Sequence, residues 1–446
     1  MNKGRNISEV PFFQLCNTCG SCYGLCPCEA IHFQETTGGY YLPIVNEEKC
    51  TRCGLCCEVC PGLHFDKTLM SKMPDDPFAG FSLGSFVGKA TDRKLFDNSQ
   101  SGGIVSALLV NALESGQIKG AVTVVMEPGN PPRPVVKIAN SKEEIFQAQK
   151  SKYCPVPLLG FFKELKNHNG PIAIVGTPCH IHGLINVLDK IPKLKNKIGF
   201  TIGLMCDRIL TYSALDYLLK RALQIDRNSS KVLYFRDKSV SGYPGDVHIF
   251  SDNGKSAVFS SETRIQIKDY FTPARCRLCF DKMNVFADIT VGDPHGLEGV
   301  DRKLGESVLV VRTGLGSNIV QTALSYKAIN IRPVHYAEIL KGQDLTNKKE
   351  QWRGYVEAWK LTGRKLPDYY DRVKSHAIVP VNIKKYQQHL EYLFKLDDFQ
   401  SREKLIRFVE KAVKKTQVAN RILFPARITL RCFRKVTKIA KCFYGR

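Results

Sequence analysis

The stretch Cys16-Asn-Thr-Cys19-Gly-Ser-Cys22-Tyr-Gly-Leu-Cys26-Pro27 recurs with the same cysteine spacing as Cys50-Thr-Arg-Cys53-Gly-Leu-Cys56-Cys57-Glu-Val-Cys60-Pro61. Three closely spaced thiolates bind one 4Fe-4S cluster, and the fourth cysteine of each run ligates the other cluster. The repeat therefore predicts two clusters with crossed ligation. The predicted ligands are set A (Cys16, Cys19, Cys22 and Cys60) and set B (Cys26, Cys50, Cys53 and Cys56).

A structural zinc site is the alternative interpretation of the Cys-x-x-Cys pairs. Zinc takes four ligands in two pairs, which leaves the third cysteine of each run and the Cys-Pro without a role. Cys57 adjoins Cys56, but the three-residue gap to Cys60 fits Cys56 better as a ligand. The spacing favours clusters, and residues 1–62 are predicted to form an α+β, ferredoxin-like two-cluster domain.

The length and the cysteine content indicate a large intracellular protein. The chain has 446 residues, enough for about three folding units of roughly 150 residues. Its 17 cysteines would suggest disulfides in a secreted protein, but the N-terminus carries no apolar segment or cleavage signal. In the reducing cytoplasm, clustered cysteines are typically metal ligands or redox groups. No apolar run reaches the roughly 18 residues that a membrane span requires, so we expect a cytoplasmic protein.

Positive charge is concentrated at the C-terminus. The formal net charge is +23, and residues 401–446 contain 14 Lys or Arg and two Glu. Apolar residues recur between the basic ones as in an interfacial amphipathic helix, which Pro425 is expected to divide in two. Two interpretations stay open: a helix packed on its own protein, or docking to an acidic partner or the membrane periphery. Nucleic acid is not an expected partner, because no binding module is recognisable.

The remaining chain is predicted to comprise a linker, an α/β domain and a helical extension. Residues 63–85 contain several prolines and glycines among polar residues, which is typical of a linker. Residues 86–345 interleave apolar strands with helices and predict a mixed α/β domain. Residues 346–446 are expected to be helical and to end in the basic tail. The expected strands are 120–126, 171–175, 198–205, 287–292 and 307–312, and the expected helices are 105–113, 157–166 and 212–223.

Four further cysteines lie at predicted strand ends or loops of the α/β domain. Cys179 and Cys206 each follow a strand, and Cys276-x-x-Cys279 precedes another. Because strand ends of one sheet converge at a common edge, these residues, set C, could enclose a third cluster. A zinc site and scattered buried thiols are the alternatives that spacing alone leaves open.

Six short motifs follow one another along the chain. They are Ser99-Gln-Ser-Gly-Gly103, Lys152-Tyr153, Gly176-Thr-Pro-Cys179, Gly203-Leu-Met-Cys206, Cys276-Arg-Leu-Cys279 and Ala287-Asp-Ile-Thr-Val-Gly-Asp293. Each motif is weak alone, but the six in this order resemble the coenzyme F420 hydrogenase/dehydrogenase beta-subunit family. The resemblance covers residues 16–312.

The resemblance implies a bound FAD between a substrate pocket and a third 4Fe-4S cluster held by set C. The Ser-Gln-Ser-Gly-Gly stretch precedes a predicted helix, whose first amides suit a flavin pyrophosphate. The alternative interpretation of this stretch is an ordinary glycine turn with an N-cap. No Gly-x-Gly-x-x-Gly fingerprint is present, so direct nicotinamide use is not expected. The implied cofactor-binding residues are Gln100, Ser101, Gly102, Gly103, Lys152, Tyr153, Gly176, Thr177 and Asp293.

Two departures from the family pattern concern the substrate side. His180 stands where relatives often have Gln, and Pro294 stands where they often have an aromatic residue. His180 is the candidate catalytic residue, with His182 beside it, because histidine can protonate a substrate or a reduced flavin near neutral pH. The alternative is that both rings are hydrogen-bonded to backbone. Asp293 either orients flavin or substrate, or caps the next turn.

The expected function is that of a flavin- and iron-sulfur-dependent oxidoreductase. Electrons would pass between reduced coenzyme F420 and the 4Fe-4S clusters through FAD, which converts hydride into single electrons. Ferredoxin or a membrane-associated electron-transfer protein would be the partner. Two alternatives stay open: a ferredoxin-dependent FAD reductase of an organic substrate, such as a glycan or isoprenoid-like precursor, and a non-catalytic polyferredoxin-like subunit.

Overall fold

Thirteen strands form three sheets in the part of the chain that the structure, a computed structural model, describes: residues 4–165, 168–222, 225 and 228–415. The strands are β1 (Ile31–Glu35), β2 (Tyr41–Val45), β3 (Gly84–Ala90), β4 (Gly120–Glu127), β5 (Arg133–Ala139), β6 (Ile172–Gly176), β7 (Ile198–Leu204), β8 (Lys231–Asp237), β9 (Asp246–Ser251), β10 (Ser256–Phe259), β11 (Ile289–Gly292), β12 (Ser307–Val311) and β13 (Ile329–Pro333).

Helices connect and cover these sheets. They are α1 (Glu9–Phe12), α2 (Ser21–Leu25), α3 (Leu55–Glu58), α4 (Lys67–Ser71), α5 (Arg93–Asn98), α6 (Ile104–Glu114), α7 (Lys142–Gln147), α8 (Pro178–Lys190), α9 (Tyr212–Arg221), α10 (Ser261–Phe271), α11 (Ala274–Arg277), α12 (Gly314–Ser325), α13 (Tyr336–Gly342), α14 (Leu345–Lys360), α15 (Tyr370–Lys374) and α16 (Lys384–Phe394). Residues 402–415 are also helical. Short 3-10 helices occupy Leu158–Lys163, Pro192–Lys197 and Leu396–Asp398.

An eight-stranded mixed sheet organises the protein, with strand order β13-β3-β12-β11-β7-β6-β4-β5. Its centre is parallel, because β4, β6, β7 and β11 pair in the same direction. These strands are buried apolar runs such as Ile-Ala-Ile-Val in β6, as expected for parallel strands covered on both faces. The predicted mixed α/β architecture is confirmed. The carboxyl ends of β6, β7 and β11 therefore lie at one edge of the sheet.

The two smaller sheets are antiparallel. β1 pairs with β2 in the N-terminal part of the chain, from Ile31 opposite Val45 to Glu35 opposite Tyr41. β8, β9 and β10 form a three-stranded sheet with β9 in the middle. The N-terminal part is thus a small α+β unit that contains both cysteine repeats.

Two segments differ from their sequence-based expectations. The stretch expected to be an α-helix over 157–166 is a 3-10 helix over Leu158–Lys163, in which Gly160 donates to the Pro157 carbonyl, three residues back. Glycine weakens an α-helix, and a Cβ at Gly160 would lie 3.0 Å from Tyr23. The stretch 63–85 contains α4 and buries Leu69 and Phe78 completely, so it is packed into the core rather than exposed as a connector.

Among the described residues, the segment 346–415 is mostly helical, and its helix α14 packs against the α/β domain. Trp352 and Trp359 of α14 are almost fully buried, and the Trp352 indole nitrogen donates to the Leu278 carbonyl at 2.9 Å. This hydrogen bond ties the extension to the loop that carries Cys276 and Cys279. None of the described helices is long and apolar enough to cross a membrane. Most of the basic tail, residues 416–446, lies outside the described residues.

Candidate redox centres and flavin site

Set A and set B line two separate cavities. The set A cysteines line one cavity, and the set B cysteines line the other. Each set takes three cysteines from one repeat and the fourth from the other repeat, and Cys28 also lines the set B cavity. Among the described residues, no three His, Cys, Asp or Glu side chains are arranged to hold a single metal ion. The cysteines of each set thus surround a space instead of converging on one point.

Left-handed glycines shape both repeats. Gly20 and Gly54 have φ values of +87° and +82°, and each immediately precedes the short helix that carries the third cysteine of its run. Gly20 also has no room for a side chain, because a Cβ there would lie 2.6 Å from the Pro157 carbonyl oxygen. The chain can therefore reverse sharply between the second and third cysteines, which brings them to the same cavity.

Hydrogen-bond donors point at several of these sulfurs. The Thr18 amide lies 3.3 Å from Cys16 Sγ, the Ala30 amide lies 3.3 Å from Cys26 Sγ, and Asn6 Nδ2 lies 3.8 Å from Cys50 Sγ. Donors directed at sulfur stabilise a thiolate more than a thiol, and they also tune the potential of a bound iron-sulfur cluster. The donor set therefore suits metal-bound thiolates.

The two cavities differ in their exposure. Three set A cysteines, Cys19, Cys22 and Cys60, are at most 7% exposed, whereas Cys53 of set B is exposed. Burial raises the pKa of Cys16 to about 12, and burial together with neighbouring set A thiols raises the pKa of Cys22 well above its usual value. Thiols crowded in this way ionise together only when a cationic centre compensates their charge. Set A is therefore an interior site, and set B is at the surface.

Cys57, the neighbour of a predicted ligand, lies elsewhere. It is completely buried in the apolar core, whereas Cys56 lines the set B cavity. The structure thus places Cys56, the residue chosen from the spacing, at the cavity.

Set C gathers at the carboxyl edge of the eight-stranded sheet. Cys179 follows β6 at the start of α8, Cys206 follows β7, and Cys276 and Cys279 lie in and just after α11. Burial raises the pKa of Cys206 well above its usual value, and the nearby thiols of the other three cysteines raise it further. The Cys206 amide also donates to the Lys282 carbonyl at 3.0 Å, so Cys206 lies beside the loop that follows Cys279.

Asn284 holds the set C loop against the strand ends. Its Nδ2 donates to the carbonyls of Gly176 and Leu204, the last residues of β6 and β7, at 2.9 and 3.1 Å. Asn284 is fully buried and has a φ of +52°, a backbone conformation that asparagine tolerates better than most residues. This side chain fixes the loop from Cys276 to Ala287 at the edge where Cys179 and Cys206 lie.

Set C also adjoins set A. Helix α8, which begins beside Cys179, passes the set A cavity so closely that a Cβ at Gly183 would lie 3.4 Å from Cys19 Sγ. Burial raises the pKa of Cys179, and the Cys19 thiol contributes to that rise. Set B also adjoins set A, because Cys56 of set B and Cys60 of set A are four residues apart and the Cys56 thiol contributes to the rise in the pKa of Cys22. The three sets thus form a series from the sheet edge to the surface: C, A and B.

The residues implied for flavin binding come together from several segments. Gln100 Oε1 accepts a hydrogen bond from the Ser151 amide at 2.8 Å, which joins the Ser-Gln-Ser-Gly-Gly stretch to the Lys152-Tyr153 loop. Lys152 Nζ donates to the carbonyls of Ala148 and Gln149, and burial lowers its pKa to about 7. The ammonium is thus directed at its own loop in this structure.

Helix α6 begins at this point with free amides. Gly103, its N-cap residue, has a φ of +75° and provides no side-chain cap. Gly102 has no room for a side chain, because a Cβ would lie 2.5 Å from the Gly88 carbonyl oxygen, and its amide donates to Ser307 Oγ. Gly102 thus packs the stretch against β3 and β12, while the first amides of α6 stay available to an anion.

Arg236 connects two of the implied flavin residues, although sequence reasoning missed it. Its guanidinium forms an ion pair with Asp293, at 2.5 and 3.3 Å, and lies 3.5 Å from the Tyr153 hydroxyl. Burial alone would raise the pKa of Asp293, but the charge and hydrogen bonds of Arg236, with a smaller contribution from His295, hold that pKa low. The only signal in the sequence was a cation at the end of an apolar strand, β8.

His180 caps a helix. The Thr177 amide donates to His180 Nδ1 at 3.2 Å, and His180 Nε2 lies 3.0 Å from the Val156 carbonyl oxygen. Burial lowers the pKa of His180 to about 4, so the ring is neutral at neutral pH. Both ring nitrogens have protein partners, and the catalytic role stays a prediction that requires these bonds to break. His182 is also paired, since its Nε2 lies 2.8 Å from the buried Asp281 carboxylate.

The fold and the cysteine sets are together typical of oxidoreductase components that carry redox centres. The family described as the coenzyme F420 hydrogenase/dehydrogenase beta subunit matches twice, with its N-terminal region over residues 85–163 and its C-terminal region over residues 170–336. The two matches span more than half of the chain, which therefore belongs to the coenzyme F420 hydrogenase/dehydrogenase beta-subunit family. The resemblance seen in the sequence motifs is confirmed.

Several relatives have names that refer to coenzyme F420. The beta subunit of the coenzyme F420 hydrogenase of Methanosarcina barkeri is 25% identical over 62% of this chain and 90% of its own length. The F subunit of the F(420)H(2) dehydrogenase of Methanosarcina mazei is 26% identical, over 66% and 79%. The coenzyme F420-dependent sulfite reductase of Methanocaldococcus jannaschii is 25% identical over 78% of this chain, which spans about half (52%) of that protein.

A solved structure is also similar. A chain of the F420-reducing [NiFe] hydrogenase complex from Methanosarcina barkeri has 22% sequence identity and a TM-score of 0.46, covering 63% of this chain and 96% of its own.

Proposed function

We propose that this protein is an oxidoreductase that passes electrons between reduced coenzyme F420 and three 4Fe-4S clusters through FAD, in the cytoplasm. The observation that carries the proposal is the serial arrangement of the three cysteine sets, from the sheet edge through the interior to the surface. Family membership supports the coenzyme, because relatives over most of the chain are named as components of F420 hydrogenases or dehydrogenases.

The cysteine sets fit iron-sulfur clusters better than zinc. A tetrahedral zinc ion needs all four sulfurs about 2.3 Å from one point, whereas sets A and B surround cavities. Set A would hold one cluster, set B the second and set C the third. FAD, when bound, would exchange a two-electron hydride for single electrons, and the clusters would carry these singly.

The residues around Arg236 fit the anionic part of a flavin. The free amides of α6 and the cations Lys150 and Lys238 lie around the Ser-Gln-Ser-Gly-Gly stretch, where Lys238 Nζ donates to the Ser101 carbonyl at 2.9 Å. Such donors suit a pyrophosphate. Asp293, oriented by Arg236, would accept a hydrogen bond from the flavin or from the substrate. Gly176 and Thr177 lie at the end of β6, next to set C, and would place the ring system beside the third cluster.

The exposed set B is the expected exit for electrons. Because Cys53 is exposed and the set A cysteines are buried, a carrier such as ferredoxin, or a membrane-associated electron-transfer protein, would exchange electrons at set B. The ends of the series then have different partners: a hydride donor at the sheet edge and a one-electron carrier at the surface.

The test is anaerobic purification followed by stopped-flow mixing. We expect about one FAD and about twelve iron atoms per chain, and rapid bleaching of the flavin absorbance by reduced coenzyme F420. Bleaching only by reduced ferredoxin would contradict the proposal and indicate a ferredoxin-dependent reductase. Iron near eight atoms without flavin would indicate a non-catalytic electron-transfer protein. Cys154→Ala is the matched control, because Cys154 is a buried thiol outside all three sets and its loss should leave the iron content unchanged.

A further inference from the structure

Arg275 is a buried cation that has no carboxylate partner in the part of the chain that the structure describes. The residue is 3% exposed, and its Nη2 donates to the Tyr369 hydroxyl and lies 3.4 Å from the Pro61 carbonyl oxygen. Its Nε and Nη1 are buried and have no hydrogen-bond partner among the described residues. Burying an unpaired charge costs several kcal/mol unless an opposite charge lies nearby. The surroundings of Arg275 must therefore supply negative charge.

The negative charge available to Arg275 comes from two cysteine sets. On one side, Arg275 directly precedes Cys276, and the Cys276 and Cys279 thiols act on its guanidinium. On the other side, it contacts Pro61, the residue after Cys60, and its charge opposes the rise in the pKa of Cys16 and Cys19 that burial causes. Arg275 therefore lies between set C and set A.

Neighbouring side chains hold the guanidinium in this position. Tyr369, which accepts its hydrogen bond, is 3% exposed and stacks on Phe65 with ring centroids 3.9 Å apart. The carbonyl of Pro61 and the hydroxyl of Tyr369 are both neutral, so they orient the cation without cancelling its charge. A fixed positive charge in a low-dielectric interior acts strongly on any anionic centre beside it.

We propose that Arg275 is a positioning residue for electron transfer, whose charge raises the reduction potentials of the clusters at sets A and C together and so changes the driving force between them little. This inference rests on the proposed function. Four thiolates give each cluster a net negative charge, which grows when an electron is added. A nearby cation therefore favours the reduced form of both clusters, and set B, farther along the series, is affected much less.

The test is an EPR-monitored redox titration of the full chain, purified anaerobically with its clusters. In Arg275→Gln, the one-electron reduction equilibrium of two centres should become at least tenfold less favourable, which corresponds to 59 mV or more. The third centre should change less than twofold, and it is identified as the signal missing from Cys56→Ser. Arg275→Lys keeps the charge and should leave all three centres within about threefold of the wild type.

Arg277 is the matched control on the same helix. It is also buried, at 7% exposed, but it forms an ion pair with Asp269 Oδ1 at 2.9 Å, and its charge opposes the rise in the pKa of Cys276. Arg277→Gln should therefore leave the set A centre within twofold of its wild-type equilibrium. An equal shift of that centre in Arg275→Gln and Arg277→Gln would overturn the proposal, because it would indicate a general packing effect.

Cluster loading of the Arg275 variants and the iron content of the wild type also test the proposal. If Arg275→Gln does not load its clusters but Arg275→Lys does, with unchanged potentials, the need for the charge is supported. If Arg275→Lys also fails to load, the residue acts through its shape and the proposal is wrong. If the wild type contains twelve irons but Arg275→Gln has the same reduction potentials as the wild type, this inference alone is overturned. A wild type with eight irons would overturn the third cluster, while a shift of the set A centre would still support the role of Arg275.

Discussion

Replacing Arg236 by methionine tests whether its ion pair with Asp293 organises the flavin-facing residues. The Arg236 side chain is 2% exposed and that of Asp293 is 16% exposed. Removing the cation leaves the partly buried carboxylate without its guanidinium partner, and breaking a buried ion pair in this way costs about 3–5 kcal/mol. Because water still reaches part of Asp293, we expect a loss near the lower end, about 3 kcal/mol of unfolding free energy.

The pH dependence of this contribution follows from the direction of the pKa shift. Arg236 overcomes the effect of burial and lowers the pKa of Asp293 in the folded protein. A carboxyl with a depressed folded pKa contributes stability that is fully present above its unfolded pKa of about 3.9 and is lost as the pH falls through the folded pKa. The stabilisation should therefore be full at neutral pH and should disappear only below about pH 4.

Chemical denaturation and flavin content together are the assay. Arg236→Met should unfold about 3 kcal/mol more easily and should lose bound flavin. The double variant Arg236→Met/Asp293→Asn removes both charges and should recover at least half of the stability but no flavin. Arg264 is the control, because its guanidinium lies 4.7 Å from the centre of the Tyr153 ring with no ion pair among the described residues, so Arg264→Met should cost only about 0.5–1 kcal/mol. If Arg236→Met binds as much flavin as the wild type and is equally stable, the reasoning is refuted.

Three further predictions concern the cysteine sets and their support. Cys56→Ser should lower the iron content by about four atoms, whereas Cys57→Ala should leave iron unchanged, since Cys57 lies in the core; equal losses on iron assay would contradict this. Asn284→Ala should destabilise the protein by about 2–4 kcal/mol in denaturation, because two buried carbonyls lose their donor; a change under 1 kcal/mol would count against that role. Replacing Cys276 and Cys279 by serine should stop flavin-mediated reduction of the N-terminal clusters, measured by stopped-flow absorbance; an unaltered rate would disprove the serial path.

Local patterns in the sequence predicted the features that depend on nearby residues. The apolar runs at 120–126 and 198–205 were recognisable as buried strands, and the structure has them as β4 and β7. Cysteine spacing likewise groups the same residues that line each cavity. Both signals work because a strand and a cluster motif are each encoded within a few residues.

Features that depend on distant partners gave no such signal. Arg236 pairs with Asp293, 57 positions along the chain, and Arg275 hydrogen-bonds to Tyr369, 94 positions along the chain. Neither contact could be predicted from the spacing of the residues. The segment 63–85 looked like a linker because its apolar residues follow no regular period. Its burial follows from contacts with other elements, such as the stacking of Phe65 on Tyr369, which no local pattern encodes.

The exchange of the fourth cysteine between the two repeats has a consequence for biogenesis. Both cavities are incomplete until Cys56 has emerged from the ribosome, since the set B cavity needs this residue together with Cys26 from the first repeat, and the set A cavity needs Cys60, which follows four residues later. Iron delivered to a nascent chain that ends before this point would find only incomplete sites. Both N-terminal centres would therefore mature together, and deleting either repeat would abolish the two of them at once.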